Sequence, residues 1–148
     1  MSANSAVLVP GASTGIDDFP VDLSWSPAGN AFAVAGGEGR LYRIAPEGGE
    51  PVLLGTHEPG LLSVAWQPNG ELLATAGQDG AVRSCDLVSR SCGGRPLTRH
   101  TGDVHVVAFS ADGRVLASGA DDRTVRLVHA PAHGHEVARG QRGDPLRG

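Results

Sequence analysis

One pattern of residues occurs three times in this chain at nearly constant spacing, and this limits the possible folds more than any other feature. An aromatic residue ends the first apolar segment of each copy, at Trp25, Trp66 and Phe109. A glycine and then an alanine follow each aromatic residue at matching intervals: Gly29, Gly70 and Gly113, then Ala33, Ala74 and Ala117. Self-similarity with a period of about 40 residues predicts a repeat protein built from one supersecondary unit.

The third copy shows what this unit is. It contains three short segments of apolar and β-branched residues, at 104–109, 115–118 and 124–128, separated by turns rich in Gly, Asp and Ser. This arrangement predicts a three-stranded antiparallel meander, with Asp112-Gly113 in a hairpin turn. The first apolar step, from Val104 to Val107, is three residues rather than two, which predicts a β-bulge in the first strand. The other copies occupy residues 21–44 and 61–86.

A short apolar segment after each meander would add a fourth strand, at residues 51–54, 95–98 and 135–139. We therefore expect an all-β fold with three repeats over residues 20–139, at about 20–56, 57–99 and 100–139. Residues 1–19 form an N-terminal segment in which 6–9 could supply an outer strand. Residues 140–148 show no periodicity, and we expect a disordered tail there.

Composition and charge exclude several classes of function. The net charge of −4 and the pI of 5.8 leave no basic patch for nucleic acid or an anionic membrane. The chain lacks an apolar run of about 18 residues and a basic, apolar leader, so we expect a cytoplasmic protein without a transmembrane helix. Cys85 and Cys92 flank a predicted hairpin and could meet across it, but without export we expect two reduced thiols.

Several features of the pattern together resemble the WD40 repeat. They are a histidine before the first strand, an apolar strand ending in an aromatic residue, a Pro/Ala-x-Gly turn, a Leu-Ala-Ser/Thr strand and an x-Asp-x turn. Residues 117–128, ASGADDRTVRLV, are especially similar. The resemblance implies a partial β-propeller of three blades, each of four antiparallel strands. It also implies a non-catalytic scaffold that binds a protein or peptide partner and needs no cofactor or metal.

The resemblance further implies a buried polar network in two repeats. In each, a histidine would be held by a hydroxyl and an aspartate: His57, Thr75 and Asp79, then His100, Ser118 and Asp122. Because these groups recur in successive repeats, a structural role is favoured over a catalytic one. The first repeat has Ile16, Val34 and Glu38 at the matching places, so we expect its blade to be the least regular.

Three blades are fewer than the four to eight of known propellers. The chain could be a fragment of a longer propeller, could associate with copies of itself, or could complete a ring with another protein. A three-blade arc by itself cannot close, so we expect its first and last blades to expose apolar faces that favour association. If a partner binds the loops leading into the blades, the candidate contacts are Gln78, Asp103, His105 and Asp121.

An alternative function is a hydrolase or a metal- or ligand-binding protein. Gly11-Ala-Ser-Thr-Gly15 matches Gly-x-Ser-x-Gly, in which Ser13 would be a nucleophile, but that motif requires a following helix. His129, His133 and His135 cluster in sequence, but no cysteine or carboxylate stands at a recognisable zinc-ligand spacing. A flexible loop and solvated histidines are therefore the favoured interpretations.

Overall fold

The computed structural model describes residues 7–92 and 94–130. Its strands are β1 (Pro20–Trp25), β2 (Phe32–Gly36), β3 (Arg40–Ile44), β4 (Val52–Thr56), β5 (Leu61–Trp66), β6 (Leu72–Gly77), β7 (Ala81–Asp86), β8 (Ser91–Cys92), β9 (Thr98–Arg99), β10 (Val104–Phe109), β11 (Val115–Ala120) and β12 (Val125–His129). Over the described ranges no residue is helical. The chain is an all-β, partial β-propeller.

The strands form three antiparallel sheets in chain order. Blade 1 consists of β1–β4, blade 2 of β5–β9 and blade 3 of β10–β12, so the three predicted meanders are confirmed. The fourth strand of blade 2 differs from the prediction at residues 95–98. It is divided into β8 and β9, which pair with opposite ends of β7, because Gly94 and Pro96 interrupt the ladder between them. The fourth strand predicted at 135–139, like the tail at 140–148, lies outside the described residues.

The predicted bulge in β10 is also confirmed. The pairing of β10 with β11 shifts register between Val104 and Val106, leaving His105 as the extra residue. The first strands of the other two blades shift at the equivalent places, so Val21 and Leu62 take the same position. The bulge is therefore a property of the repeating unit, and it turns the start of each first strand toward the adjoining loops.

The blades stack face to face, and their first strands lie next to one another. Strand β5 of blade 2 contacts both β1 of blade 1 and β10 of blade 3. We call the face of a blade toward the following blade its forward face and the opposite one its back face. Forward faces carry small side chains, such as Ala33 and Ala35 in blade 1, and back faces carry larger ones, such as Leu61 and Leu73 in blade 2. Blades 2 and 3 meet in the same way. Small residues against large ones let neighbouring sheets pack closely without voids.

Residues 7–9, the described part of the outer strand considered at 6–9, are not in a strand. Residues 7–19 contain no strand, and Val7, Leu8 and Val9 are 77%, 94% and 76% exposed. The following residues instead lie against blade 1. The Thr14 hydroxyl donates a 3.0 Å hydrogen bond to the Gly49 carbonyl, and Ile16 packs on the back face. These contacts hold the segment beside blade 1, where it borders an open groove of about 910 Å³.

The two cysteines are not the free thiols that we predicted. Cys85 and Cys92 are directly paired residues of β7 and β8, their Cα atoms are 4.1 Å apart, and the structure joins them in a disulfide. The prediction relied on the absence of an export signal, which describes the cell compartment rather than the local geometry. Because opposing positions in an antiparallel pair bring side chains together, the hairpin places both sulfur atoms within bonding reach.

Candidate functional site

Six loops meet at one end of the stacked blades, and we call this end the loop face. It comprises residues 16–19, 37–39, 57–60, 78–80, 100–103 and 121–124, which lead into the first strands or join the second and third strands. The turns approach one another closely. Gly80 has a φ of +79°, and a Cβ atom there would lie 2.5 Å from the His100 carbonyl oxygen. Glycine at this position lets the chain cross tightly on its way into blade 3.

In blade 2 the structure brings His57 against Thr75 and Asp79. A hydrogen bond of 3.1 Å joins His57 Nδ1 to Thr75 Oγ1, and one of 2.9 Å joins Nε2 to Asp79 Oδ1. Since a carboxylate only accepts hydrogen bonds, the tautomer of a neutral His57 that fits this geometry carries its hydrogen on Nε2 and accepts from the threonine hydroxyl at Nδ1. Asp79 also accepts from Arg83 Nη2 at 3.3 Å and from the Ala81 N–H at 3.0 Å. Sequence reasoning missed Arg83.

In blade 3 the same three positions meet with the ring nitrogens in the opposite order. His100 Nδ1 lies 3.1 Å from Asp122 Oδ2, and Nε2 lies 2.8 Å from Ser118 Oγ. The proton of a neutral His100 is therefore on Nδ1 rather than Nε2. Thr124, which sequence reasoning also missed, donates its hydroxyl to Asp122 Oδ1 at 2.7 Å. The Asp-x-Thr spacing at the turn was the available signal for it.

Blade 1, which was predicted to be the least regular, has register shifts in two strand pairs, β1–β2 and β3–β4, whereas blades 2 and 3 have one each. Blade 1 still forms a complete four-stranded sheet. Ile16 and Val34 occupy the positions of the histidine and the hydroxyl residue, and they pack together in an apolar cluster. Because both polar partners are replaced at once, no buried donor or acceptor is left unpaired. Asp18 holds the neighbouring turn by accepting from the N–H groups of Glu38 at 2.8 Å and Arg40 at 3.1 Å.

Three aspartates of the loop face, Asp18, Asp79 and Asp122, have lowered pKa values. Desolvation alone would raise the pKa of Asp79, but its hydrogen bonds with His57, the Ala81 N–H and Arg83 hold it below the ordinary value of 3.8. The Thr124 hydroxyl, with the N–H of Thr101, lowers the pKa of Asp122 much further. Each carboxylate therefore stays ionised at neutral pH and serves as a fixed acceptor for its turn.

Three of the four predicted contact residues, Gln78, Asp103 and Asp121, belong to the loop face, and the fourth, His105, is the bulge residue of β10 beside it. His105 Nε2 is 2.8 Å from Asp121 Oδ1, and both side chains are more than half exposed. The Asp103 carbonyl accepts from the Asp121 N–H at 2.9 Å, which joins the loop before blade 3 to its second turn. Gln78 holds the equivalent turn position in blade 2 and is exposed. The structure thus gathers three of the four residues in blade 3 and places Gln78 on the neighbouring blade.

The residues of the alternative function are placed differently. Ser13 lies in a loop that leads into strand β1, so the helix that a nucleophile elbow requires does not follow it. His129 ends β12, while His133 and His135 lie outside the described residues. Within residues 7–92 and 94–130, no three His, Cys, Asp or Glu side chains are grouped closely enough to hold a metal ion.

Comparison with known proteins identifies the family. The sequence model described as "WD domain, G-beta repeat" matches residues 51–86 and 91–129, which together make up just over half of the chain. The chain belongs to the WD40 repeat family. The matches begin at β4 of blade 1 and otherwise fall on blades 2 and 3, the two blades that contain a histidine with its hydroxyl and carboxylate partners. In blade 1 the pairing of Ile16 with Val34 departs from this pattern.

Relatives in fungi and plants contain similar segments. The chain is 40% identical over 72 residues to "Protein HIR1" of Gibberella zeae, which covers 42% of this chain and 7% of that protein. It is 32% identical over 107 residues to "Cell division cycle 20.1, cofactor of APC complex" of Arabidopsis thaliana, covering 71% of this chain and 23% of the relative. The chain therefore spans only a small part of either protein.

The described residues include no helix of the length and apolar character that crossing a membrane requires.

Replacing the polar pair of blade 2 by the apolar pair of blade 1 tests the network. We expect His57→Ile or Thr75→Val alone to cost about 1–3 kcal/mol of unfolding free energy, because each leaves a buried partner unsatisfied. The double variant should cost clearly less than the sum of the two. Urea unfolding of the four proteins measures this coupling. Glu38→Ala is the control and should change little, since Glu38 is exposed and its contact with Arg40 is 3.5 Å long. Additive costs would contradict the network.

The lowered aspartate pKa values determine how stability depends on acid. Between its folded pKa and the ordinary value of 3.8, an aspartate binds more protons unfolded than folded, so the unfolding free energy falls as pH falls. We expect urea midpoints to be nearly constant above about pH 5 and to decrease below about pH 4. The decrease should be shallower for Asp122→Asn, because the amide that replaces the carboxylate does not titrate. Identical slopes for the variant and the original chain would show that Asp122 is not held ionised by the fold.

Proposed function

We propose that this chain is a non-catalytic interaction scaffold that presents its loop face to a protein or peptide partner. Family membership supports a scaffold, since WD40 repeats commonly serve as binding surfaces. The Arabidopsis relative is described as a cofactor of a complex, a role that involves other proteins. The buried histidines of the loop face are occupied by their hydroxyl and carboxylate partners, which leaves the exposed residues for recognition.

The observation that carries the proposal is the charge of the loop face. Its exposed side chains include the carboxylates of Asp17, Glu38, Glu58 and Asp121, and a partly exposed Asp103 lies beside them. Arg123 is the basic residue of the turn in blade 3. A surface with this surplus of negative charge attracts positively charged segments and accelerates their association. We therefore assign to the loop face a partner segment rich in Lys or Arg.

The scaffold needs further blades to form a closed ring. The described residues provide three blades, whereas propellers have at least four. Apolar side chains are exposed at both ends of this arc. They include Leu23, 55% exposed on the back face of blade 1, and Val125, 71% exposed on the forward face of blade 3. Such faces favour association. The missing blades would come from a longer form of the chain, from another protein or from copies of this one.

We propose the cytoplasm as the location of the protein. In that compartment glutathione and thioredoxin keep most thiols reduced. Cys85 is only 2% exposed and packs within the core shared by blades 1 and 2, so the blade interface would shield the Cys85 side of the bridge from these reductants.

Replacing Gln78, Asp103, His105 and Asp121 together by Ala tests the loop face. Fluorescence anisotropy with a labelled peptide of alternating Lys and Gly provides the measurement. We expect the variant to lose binding with an unchanged melting temperature, because these side chains are exposed or make only surface contacts. Binding by the original chain should weaken as salt rises.

The matched control replaces Glu47 and Glu50 by Ala. It also removes two carboxylates, but from the loop between β3 and β4 at the opposite end of blade 1. This variant should bind the peptide like the original chain. Equal loss of binding in both variants would mean that overall charge, and not the loop face, attracts the peptide. Unchanged binding by the fourfold variant would reject the assignment.

A further inference from the structure

We infer that the blades completing the propeller belong to a second copy of this chain, with the forward face of blade 3 packed on the back face of blade 1 of that copy. The inference rests on the proposed completion of the ring and names its partner. It follows from the hydrogen bonds between neighbouring first strands, from the apolar faces at the two ends of the arc, and from the number of blades.

The first strands are joined by one repeated hydrogen bond. Asp22 of blade 1 accepts from the Val64 N–H of blade 2 at 2.9 Å. At the equivalent place, Ser63 Oγ of blade 2 accepts from the Val107 N–H of blade 3 at 3.1 Å. In each case the residue after the bulge presents an oxygen to the following blade. That oxygen satisfies an amide that would otherwise be buried without a partner.

The two ends of the arc depart from this pattern in a complementary way. The residue of blade 3 that matches Asp22 and Ser63 is Val106, whose side chain accepts no hydrogen bond. The amide of blade 1 that matches Val64 and Val107 is Leu23, and it already donates to its own neighbour, Asp22 Oδ1, at 2.9 Å. Blade 3 thus offers no acceptor, and blade 1 requires none.

This match distinguishes a second copy from an ordinary additional blade. If the next blade resembled blade 2 or blade 3, its first-strand amide would face Val106 and lose its partner on burial, which is unfavourable. Blade 1 of a second copy avoids that loss. The Asp22 carboxylate makes this possible, since one oxygen serves Leu23 while the other serves Val64 and the Ser63 hydroxyl.

The apolar surfaces at the two ends also correspond to the internal interfaces. Ala117, Gly119 and Val125 of blade 3 match Ala74, Ala76 and Val82, the small forward-face residues that pack on blade 3. Val106 is 53% and Leu127 57% exposed on the same face. On blade 1, Leu23 and Phe32 match Val64 and Leu73, which are buried against the preceding blade. Small residues would again face large ones.

The number of blades allows two copies to close a ring. Three blades from each copy give six, which lies within the range of four to eight for propellers. Each copy contributes one forward face and one back face. Each junction therefore joins two different surfaces, and the closed ring contains two such junctions. A closed pair would leave neither apolar face exposed.

Light scattering on a sizing column tests the inference with charge-reversed variants. The original chain should have twice the 15.1 kDa mass of one copy. Val106→Lys and Leu23→Glu should each reduce the mass to one copy, because each places an uncompensated charge in both junctions. An equimolar mixture should restore the mass of two copies, since one junction then pairs the new lysine with the new glutamate and the other is unaltered. Val88→Lys is the control, because Val88 is 79% exposed in the β7–β8 loop, and it should leave the mass of two copies unchanged.

Three results would overturn the inference: a single-copy mass for the original chain, a mass that grows beyond two copies with concentration, or failure of the mixture to restore the pair. The proposed function is judged separately, by binding of the basic peptide. If the original chain is a single copy and still binds that peptide through the loop face, the second-copy inference fails and the scaffold stands. If the pair forms but the peptide does not bind, the scaffold assignment to the loop face fails instead.

Discussion

The stacking of one sheet on the next is the constraint on which the rest of this structure depends. A single sheet buries neither of its faces, so each blade depends on a neighbouring blade to cover an apolar face. The neighbours are aligned by hydrogen bonds from the Val64 N–H to Asp22 and from the Val107 N–H to Ser63, while small forward-face residues pack against larger back-face ones. Apolar burial supplies most of the stabilisation, and the directional hydrogen bonds fix the alignment of the strands. The loop face depends on this stacking, because its six loops meet only when the three blades are stacked with their strands aligned.

The polar network serves a second purpose, which is to hold each turn to the loop that leads into its blade. His57 and His100 link that loop to the second strand and to the turn after it. Blade 1 reaches the same geometry without them, using Ile16 against Val34 and the carboxylate of Asp18. The unit therefore tolerates either a fully paired polar set or a fully apolar one. A half-replaced set would leave a buried group unsatisfied.

Much of this architecture could be predicted from the sequence because the repeats supply the same information three times. The meanders follow from matched positions and the bulge before Val106 from the three-residue apolar step, whereas the gathering of His57 with Thr75 and Asp79 was implied by the resemblance to WD40 repeats. The errors arose where a position was judged alone. Comparing equivalent positions did not reveal the role of Asp18, because Asp18 lies two residues after Ile16, the residue that takes the place of the histidine. The disulfide depends on the pairing of Cys85 with Cys92, which the division of the fourth strand into β8 and β9 determines. That division results from Gly94 and Pro96, and the strand predicted at residues 95–98 did not take their interruption of the ladder into account.

Amide hydrogen exchange at Val64 and Val107, followed by NMR, tests the stacking of the blades most directly. Both amides donate to side chains of the preceding blade rather than only within their own sheet, so their protection reports on contact between blades. If the blades are stacked as described, these amides should exchange as slowly as those of the central strand β6, because both would open only when the stack opens. Rapid exchange at Val64 and Val107 alongside slow exchange in β6 would show that each sheet forms without its neighbour. The stacked arc, the loop face and the junction between copies would then all lose their basis.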